Sequence, residues 1–155
     1  MKIRRILAPT DFSPSSLAAV DEAAGLALRF GAEVILLHVH EPPFVGDPDP
    51  YVVSASFRLL LAERKRLAGE QMSKLEKRLS GRHTKCRAMI GEGRAGEEII
   101  AAARNEKADL IVMSTRGLTG AKRLLLGSVA ERVVRGAGCP VLTMRPRTDS
   151  ARSGR

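Results

Sequence analysis

The 155-residue sequence has no tryptophan, one tyrosine, four phenylalanines and only two cysteines. No apolar run approaches the roughly 18 residues that a membrane-spanning helix needs. Cys86 and Cys139 show neither metal-ligand spacing nor a framework of pairs, so we interpret them as small buried side chains in a reducing cytoplasm. The sequence therefore argues against membrane-spanning, zinc-binding and disulfide-rich classes, and it favours a cytoplasmic location.

The net charge is +9, and positive charge is concentrated in two segments, so the remainder of the chain is about neutral. Residues 58–87 hold ten Lys and Arg against three Glu, and residues 145–155 hold four Arg against one Asp. No aromatic residues interleave with these charges, and no DNA- or RNA-binding motif appears. We expect a solvated basic helix face, with non-specific polyanion binding at low salt as the alternative, and neither a specific nucleic-acid partner nor a membrane partner.

Short apolar runs alternate with helical patterns along the whole chain, which favours an α/β fold with a parallel sheet covered on both faces. We expect one domain over residues 1–146, built as a doubly wound five-stranded sheet, and a basic, disordered tail over 147–155. The predicted strands are 3–8, 33–40, 83–90, 110–113 and 139–145, and the predicted helices are 14–30, 55–80, 95–106 and 128–136.

Two predicted helices carry apolar stripes that we assign to the core. The first helix has Ser13 as its N-cap, Pro14 at its first position and Gly31 at its end. The stripe residues are Leu17, Val20, Ala24, Ala27 and Leu28 in the first helix, and Phe57, Leu60, Leu61, Leu67, Met72, Leu75 and Leu79 in the second.

The segment from Ala108 to Glu131 combines a buried strand, a glycine-containing loop and a helix start. Ser128, with Glu131 three residues later, is typical of a capping box. Backbone N–H groups and the helix dipole converge at such a place, so the segment predicts an anion site. The alternative is a glycine-rich connection that only turns the chain. The basic residues Arg116, Lys122 and Arg123 either neutralise phosphates or are ordinary solvated charges.

Ligands of parallel sheets bind beyond the carboxyl ends of the strands. The candidate loops here carry Asp11, the Val39-His40 end and the 114–128 segment. Asp11 is either a site carboxylate, with Mg²⁺ as one candidate ligand, or a plain turn acid before Ser13. His38 lies in a buried-strand pattern and is interpreted as a hydrogen-bonded core histidine.

Gly91 to Gly96 matches G-x-G-x-x-G, the dinucleotide fingerprint, between a strand and a helix. Glu92, Glu97 and Glu98 crowd that helix start and would repel a phosphate. We therefore interpret the segment as a turn before an acidic helix start.

Several segments together resemble the ATP-binding branch of the universal stress protein family. They are ILAPTDFS, LLHV, ADLIVMSTRG and LLLGSVAERVVRGAGCPVLTMR, which cover nearly the full chain. The family's nucleotide motif is Gly, two residues, Gly, nine residues, Gly, then Ser or Thr. Here the marked positions are Ser114, Gly117, Gly127 and Ser128, so both spacings hold and only the first glycine is replaced.

The resemblance implies a Rossmann-like sheet of strand order 3-2-1-4-5 with ATP, accompanied by Mg²⁺, across the crevice between strands one and four. The strand-one loop would face the adenosine portion, the main chain of the strand-two end would read adenine, and the strand-four loop and last helix would hold ribose and phosphates. The implied binding residues are Pro9, Thr10, Asp11, Val39, Met113, Ser114, Arg116, Gly117, Gly127, Ser128 and Val129.

The function that this resemblance implies is that of a small stress-response regulator whose conformation or protein partner depends on bound ATP, with slow hydrolysis at most and no catalytic residues. A homodimer through strand 139–145 is also implied, and an exposed apolar edge strand favours it independently. The alternatives are a nucleotide-free dimeric interaction module of the same fold and, last, an enzyme on a related adenine-binding fold. No HIGH-type or SGGxDS motif supports the enzyme.

Overall fold

The computed structural model describes residues 2–41, 55–115 and 126–145. It contains five strands and four helices over these residues, in strict alternation. The elements are β1 (Arg5–Pro9), α1 (Pro14–Phe30), β2 (Glu33–His40), α2 (Ala55–Ser80), β3 (Cys86–Glu92), α3 (Ala95–Asn105), β4 (Leu110–Ser114), α4 (Ser128–Gly136) and β5 (Val141–Met144).

All five strands pair in parallel in the order β3-β2-β1-β4-β5, which confirms the predicted fold class and strand order. One core lies under α1 and α2 and contains Ile6, Val34 and Leu36. The other lies under α3 and α4 and contains Leu7 and Ile35. Neighbouring residues of one strand enter opposite cores, as the two-residue period of a strand requires, so the central strands are apolar throughout.

Local signals set both ends of α1. The Ser13 hydroxyl oxygen accepts a hydrogen bond from the Ser16 N–H, and Pro14 occupies the first helical turn. Gly31 ends the helix at φ 63°, a left-handed conformation that a residue without Cβ adopts at low cost. The predicted cap, proline position and stop are all confirmed.

Three core assignments from the sequence are wrong. Leu28 of α1 is 52% exposed, and Leu60 and Leu67 of α2 are 54% and 43% exposed. The apolar stripe of α2 reaches the core only in its second half, at Met72, Leu75 and Leu79. A 26-residue helix is about 39 Å long, whereas the eight-residue strand β2 spans about 27 Å, so α2 extends past the sheet.

The boundaries of two strands also differ from the predicted ones. β3 covers Cys86–Glu92 rather than 83–90, and β5 begins at Val141, one residue after Pro140. The Pro140 carbonyl oxygen accepts a hydrogen bond from the Ile111 N–H at 3.0 Å, so proline serves the sheet as an acceptor where it has no N–H to donate. The predicted irregular segment 41–54 and the predicted tail lie outside the described residues, apart from Glu41.

Candidate functional site

A cavity of about 560 Å³ opens at the carboxyl ends of β1, β2 and β4. It lies where the strand order reverses, because β1 has β2 on one side and β4 on the other. Nine of the eleven predicted binding residues line this one cavity: Pro9, Thr10, Asp11, Val39, Met113, Ser114, Gly127, Ser128 and Val129. Arg116 and Gly117, like Lys122 and Arg123, lie outside the described residues.

The N-terminus of α4 forms one end of the cavity, and its cap differs from the predicted one. The N-cap is Gly127, with φ −62° and ψ 150°, and Ser128 is already the first helical residue. No side chain of the described residues caps this helix, so the predicted Ser128–Glu131 capping box is wrong. The Glu131 N–H instead donates to the Gly127 carbonyl oxygen at 2.8 Å. The N–H groups of the first three helical residues therefore precede the first intrahelical bond and lie at the cavity.

Gly127 lies against the end of β4. Its N–H donates to the Thr115 carbonyl oxygen at 2.9 Å, and a Cβ placed on Gly127 would approach that same oxygen to 3.1 Å. Close backbone approach thus favours glycine here, because a Cβ would fit only if the neighbouring main chain shifted by a few tenths of an ångström. This contact holds the start of α4 beside the β4 end.

The end of β2 presents a main-chain donor and acceptor to the crevice. Backbone groups of a strand alternate between its two neighbours: the Leu37 carbonyl oxygen accepts from the Thr10 N–H on the β1 side, and the His40 carbonyl oxygen accepts from the Gly93 N–H on the β3 side. The N–H and C=O groups of Val39 therefore point to the β1 side. Register pairing of β1 with β2 ends at Pro9 and Leu37, two residues earlier.

Two side-chain contacts stop the β1 loop from continuing that ladder. The Thr10 carbonyl oxygen is engaged by His38 Nδ1 at 2.9 Å, and the Phe12 N–H donates to Thr10 Oγ1 at 3.0 Å. Because a carbonyl oxygen only accepts, Nδ1 of His38 carries the proton. The His38 ring also packs on Phe12, with 4.5 Å between centroids. His38 is thus a hydrogen-bonded histidine, as predicted, but it is half-buried and lines the cavity rather than lying in the core. The main chain of Val39 also faces the cavity.

Asp11 is held at the mouth of the cavity by the start of α1. Its Oδ1 accepts hydrogen bonds from the Ser13 hydroxyl at 2.6 Å and from the Ser13 N–H at 3.0 Å. Within residues 2–41, 55–115 and 126–145, no group of three or more His, Cys, Asp or Glu side chains is placed to hold a metal ion. Asp11 is therefore both a turn acid and a wall of the cavity, and no metal centre is built around it from these residues.

Sequence reasoning missed one wall of the cavity. This wall lies next to the predicted Val39-His40 end, and the residues that line it are Glu41, Arg64, Leu67, Ala68, Gln71, Ala95 and Ile99. The four α2 residues follow the spacing i, i+3, i+4, i+7, which is one face of a helix and was the available signal. Of these four residues, the sequence assigned only Leu67 to the core, as part of the apolar stripe of α2.

The G-x-G-x-x-G segment is occupied by the protein's own carboxylates. The Glu41 side chain accepts from the Ala95 N–H at 2.6 Å, at the start of α3. A Cβ on Gly91 or Gly93 would meet the Glu98 carboxylate at 3.3 or 3.2 Å. Acidic groups thus fill the space where a phosphate would approach, in agreement with the interpretation as a turn and acidic helix start.

The surroundings of both cysteine thiols raise their pKa values and so disfavour the reactive thiolate. Burial, followed by the charges of Glu76 and Glu33, raises the pKa of Cys86 to about 12. Burial also raises the pKa of Cys139, with Asp109 adding to the effect. A thiolate is the reactive form, so neither cysteine is prepared as a nucleophile.

No helix within the described part of the chain has the length and apolar character needed to cross a membrane.

Comparison with known proteins gives a consistent result. The model of the universal stress protein family matches residues 2–145. Universal stress protein MJ0531 of Methanocaldococcus jannaschii is 41% identical over 143 residues, which are 92% of this chain and 82% of that protein. The solved structure of universal stress protein UspA from Lactobacillus plantarum is 26% identical, with a TM-score of 0.82 over 94% of this chain and 99% of that one.

A third similar structure is a universal stress protein solved in complex with cAMP. It is 23% identical, with a TM-score of 0.64 over 94% of this chain and 98% of that one. At this identity the likeness concerns the fold.

Proposed function

The chain belongs to the universal stress protein family, and from that membership we propose that it binds ATP in the β1/β4 crevice and acts as a nucleotide-dependent stress-response regulator. The observation that carries the proposal is the N-terminus of α4, which no side chain of the described residues caps, at one end of a cavity whose other end presents the main chain of Val39. One end suits an anion and the other suits a flat polar ring. A nucleotide has both parts.

The phosphate end of the cavity is the start of α4, and binding there relies on main-chain donors. The N–H groups of Ser128, Val129 and Ala130, together with the positive end of the α4 dipole, bind phosphate oxygens, and the Ser128 hydroxyl adds a further donor. Arg116 and Gly117 belong to the same proposed site by their place in the motif. Mg²⁺ arrives with the triphosphate, since the described residues build no metal centre of their own.

The base end of the cavity is the main chain of Val39, and recognition there relies on matching hydrogen-bond donors and acceptors. The Val39 N–H donates to N1 of adenine, and the Val39 carbonyl oxygen accepts from the 6-amino group. Guanine presents a donor and a carbonyl at these positions, so the same main chain disfavours it. Asp11, oriented by Ser13, lies at the mouth and accepts hydrogen bonds from the ribose hydroxyls.

A regulatory role suits this site better than rapid catalysis. His38, the ionisable group beside the β1 loop, uses Nδ1 on the Thr10 carbonyl oxygen and its ring face on Phe12, which fits a structural role. A regulator requires only that ATP bind two conformations or assemblies unequally. The outer edge of β5 offers such an assembly, because β5 is an edge strand and Leu142 is 40% exposed on it; we propose a homodimer through this strand.

Titration calorimetry with ATP and Mg²⁺ tests the proposed site. Gly127→Val places a branched side chain where even a Cβ would lie 3.1 Å from the Thr115 carbonyl oxygen, so it should reduce ATP affinity at least about tenfold. Gly138→Val is the matched control, because a Cβ there meets nothing within 4 Å. Equal ATP affinity in both variants would exclude the α4 start as the phosphate site. A wild-type protein that binds no ATP would instead favour the nucleotide-free interaction module.

A further inference from the structure

His40 ends β2 and forms part of the cavity wall. Its side chain lies on the α2 side of the sheet, because side chains alternate along the strand and Val39 packs with the core under α3 and α4. Its main-chain carbonyl oxygen is engaged by the Gly93 N–H at 3.1 Å. The main chain of His40 is therefore held one residue beyond Val39, with the imidazole on the α2 side of the sheet.

The imidazole of His40 is buried but incompletely hydrogen-bonded. The residue is only 7% exposed, and across the described segments Nε2 finds no hydrogen-bond partner. His38, two residues earlier on the same face, has its Nδ1 satisfied by a carbonyl oxygen. A buried polar atom without a partner destabilises the protein unless a ligand or a water satisfies it. An unsatisfied buried acceptor is better tolerated than an unsatisfied N–H, which favours the tautomer with a lone pair on Nε2.

We propose that His40 is a base-contacting residue whose Nε2 accepts a hydrogen bond from the exocyclic amino group of the bound adenine; this inference rests on the proposed function. The amino group carries two hydrogens. The Val39 carbonyl oxygen engages one of them in the proposed pose, and the other is directed away from N1. His40 lines the cavity next to Val39, and a turn of its imidazole toward the base brings Nε2, which is closed to solvent in the ligand-free protein, to that second hydrogen as an acceptor. Base selectivity thus depends on a side chain as well as on the main chain.

The test compares ATP with purine riboside triphosphate, which lacks only the 6-amino group. His40→Leu should weaken ATP binding roughly 3- to 10-fold, the effect of one neutral hydrogen bond, and leave binding of the analogue unchanged. His40→Gln, which keeps a polar atom near the position of Nε2, should retain most of the preference for ATP. A His40→Leu protein with the wild-type ratio of the two affinities would overturn the assignment.

A second measurement separates recognition from structural support. Removing an unsatisfied buried nitrogen should leave nucleotide-free His40→Leu at least as stable as wild type, while its ATP affinity falls. A purely structural histidine would lose stability and both affinities together, which would also overturn the assignment.

Thr84 provides a control, since its Oγ1 is likewise buried and unpartnered within the described part of the chain but lies outside the cavity lining. Thr84→Val should match His40→Leu in nucleotide-free stability without altering either affinity. If the wild type binds neither nucleotide, the proposed function itself fails. If the wild type binds ATP and the His40 variants bind both nucleotides as the wild type does, the His40 inference alone fails.

Discussion

Replacing Ser128 with proline would remove one main-chain donor from the α4 start without redirecting the chain. The residue before it, Gly127, has φ −62° and ψ 150°. Ser13, which precedes Pro14 at the start of α1, has φ −65° and ψ 153°. The protein thus already accommodates proline after this backbone geometry, and both the first helical position and the extended residue before it suit proline. We expect Ser128→Pro to fold with an unchanged melting temperature.

The expected loss of affinity follows from the charge of the acceptor. A hydrogen bond from an N–H to a charged oxygen contributes about 1.5–3 kcal/mol. At about 1.4 kcal/mol per tenfold, removing it should weaken ATP binding roughly 10- to 150-fold. Ser128→Ala removes the hydroxyl and keeps the N–H, so the ratio of the two variants isolates the main-chain donor.

Calorimetry with ATP and Mg²⁺, paired with thermal unfolding of the nucleotide-free variants, measures both quantities. If Ser128→Pro and Ser128→Ala melt together and bind ATP equally well, the amides of α4 do not hold the phosphates and the reasoning is refuted. Lower affinity accompanied by a much lower melting temperature would show that proline had disturbed the helix start, contrary to the comparison with α1.

Three further predictions concern stability and assembly. Gly25→Ala should raise the free energy of unfolding by about 0.5–1 kcal/mol in urea titrations, because the site lies inside α1 and a Cβ there meets nothing within 4 Å; destabilisation would contradict this. Asp109 accepts the N–H groups of Arg4 and Arg5 at 2.8 and 3.0 Å, and these bonds, the Arg4 bond first, lower its pKa. Its contribution to stability is present above about pH 4 and is lost as the pH falls through the folded-state pKa, so Asp109→Asn should be less stable than wild type at pH 7, and the difference should shrink as the pH falls below about 4; a constant difference would argue against the carboxylate. Val141→Pro removes an N–H from the outer edge of β5 and should give monomers by light scattering, whereas persistent dimers would place the interface elsewhere.

The sequence predicted best those features that depend on local chemistry. The cap at Ser13, the stop at Gly31 and the apolar runs of the buried strands each carry their own signal, and the strand order followed once the family resemblance was added. Burial along α2 was predicted less well. Periodicity identifies one face of a helix, but it does not say how far that helix extends past the sheet that covers it, so exposed Leu60 was assigned to the core.

In the candidate site, too, some features could be predicted from the sequence and others depended on the folded structure. Loops at strand ends were predicted as a group because parallel strands bring their carboxyl ends to one edge. The capping box failed because S-x-x-E fits equally well when serine is the first helical residue, and only the extended backbone of Gly127 distinguishes the two. The Val39-His40 end was a candidate loop, but the sequence did not single out the His40 side chain, because the feature that matters is a buried nitrogen that has no partner among the described residues.

Identification of the nucleotide carried by the freshly purified protein tests the central claim most directly. The protein would be denatured, and the released small molecules would be separated by chromatography and identified by mass spectrometry, with ATP titration of the emptied protein alongside. The account predicts ATP or ADP near one per chain, or micromolar binding of added ATP with Mg²⁺. Recovery of no nucleotide, together with no binding of ATP, would contradict it and would leave a dimeric interaction module in which Ser114 has replaced the first glycine of the motif.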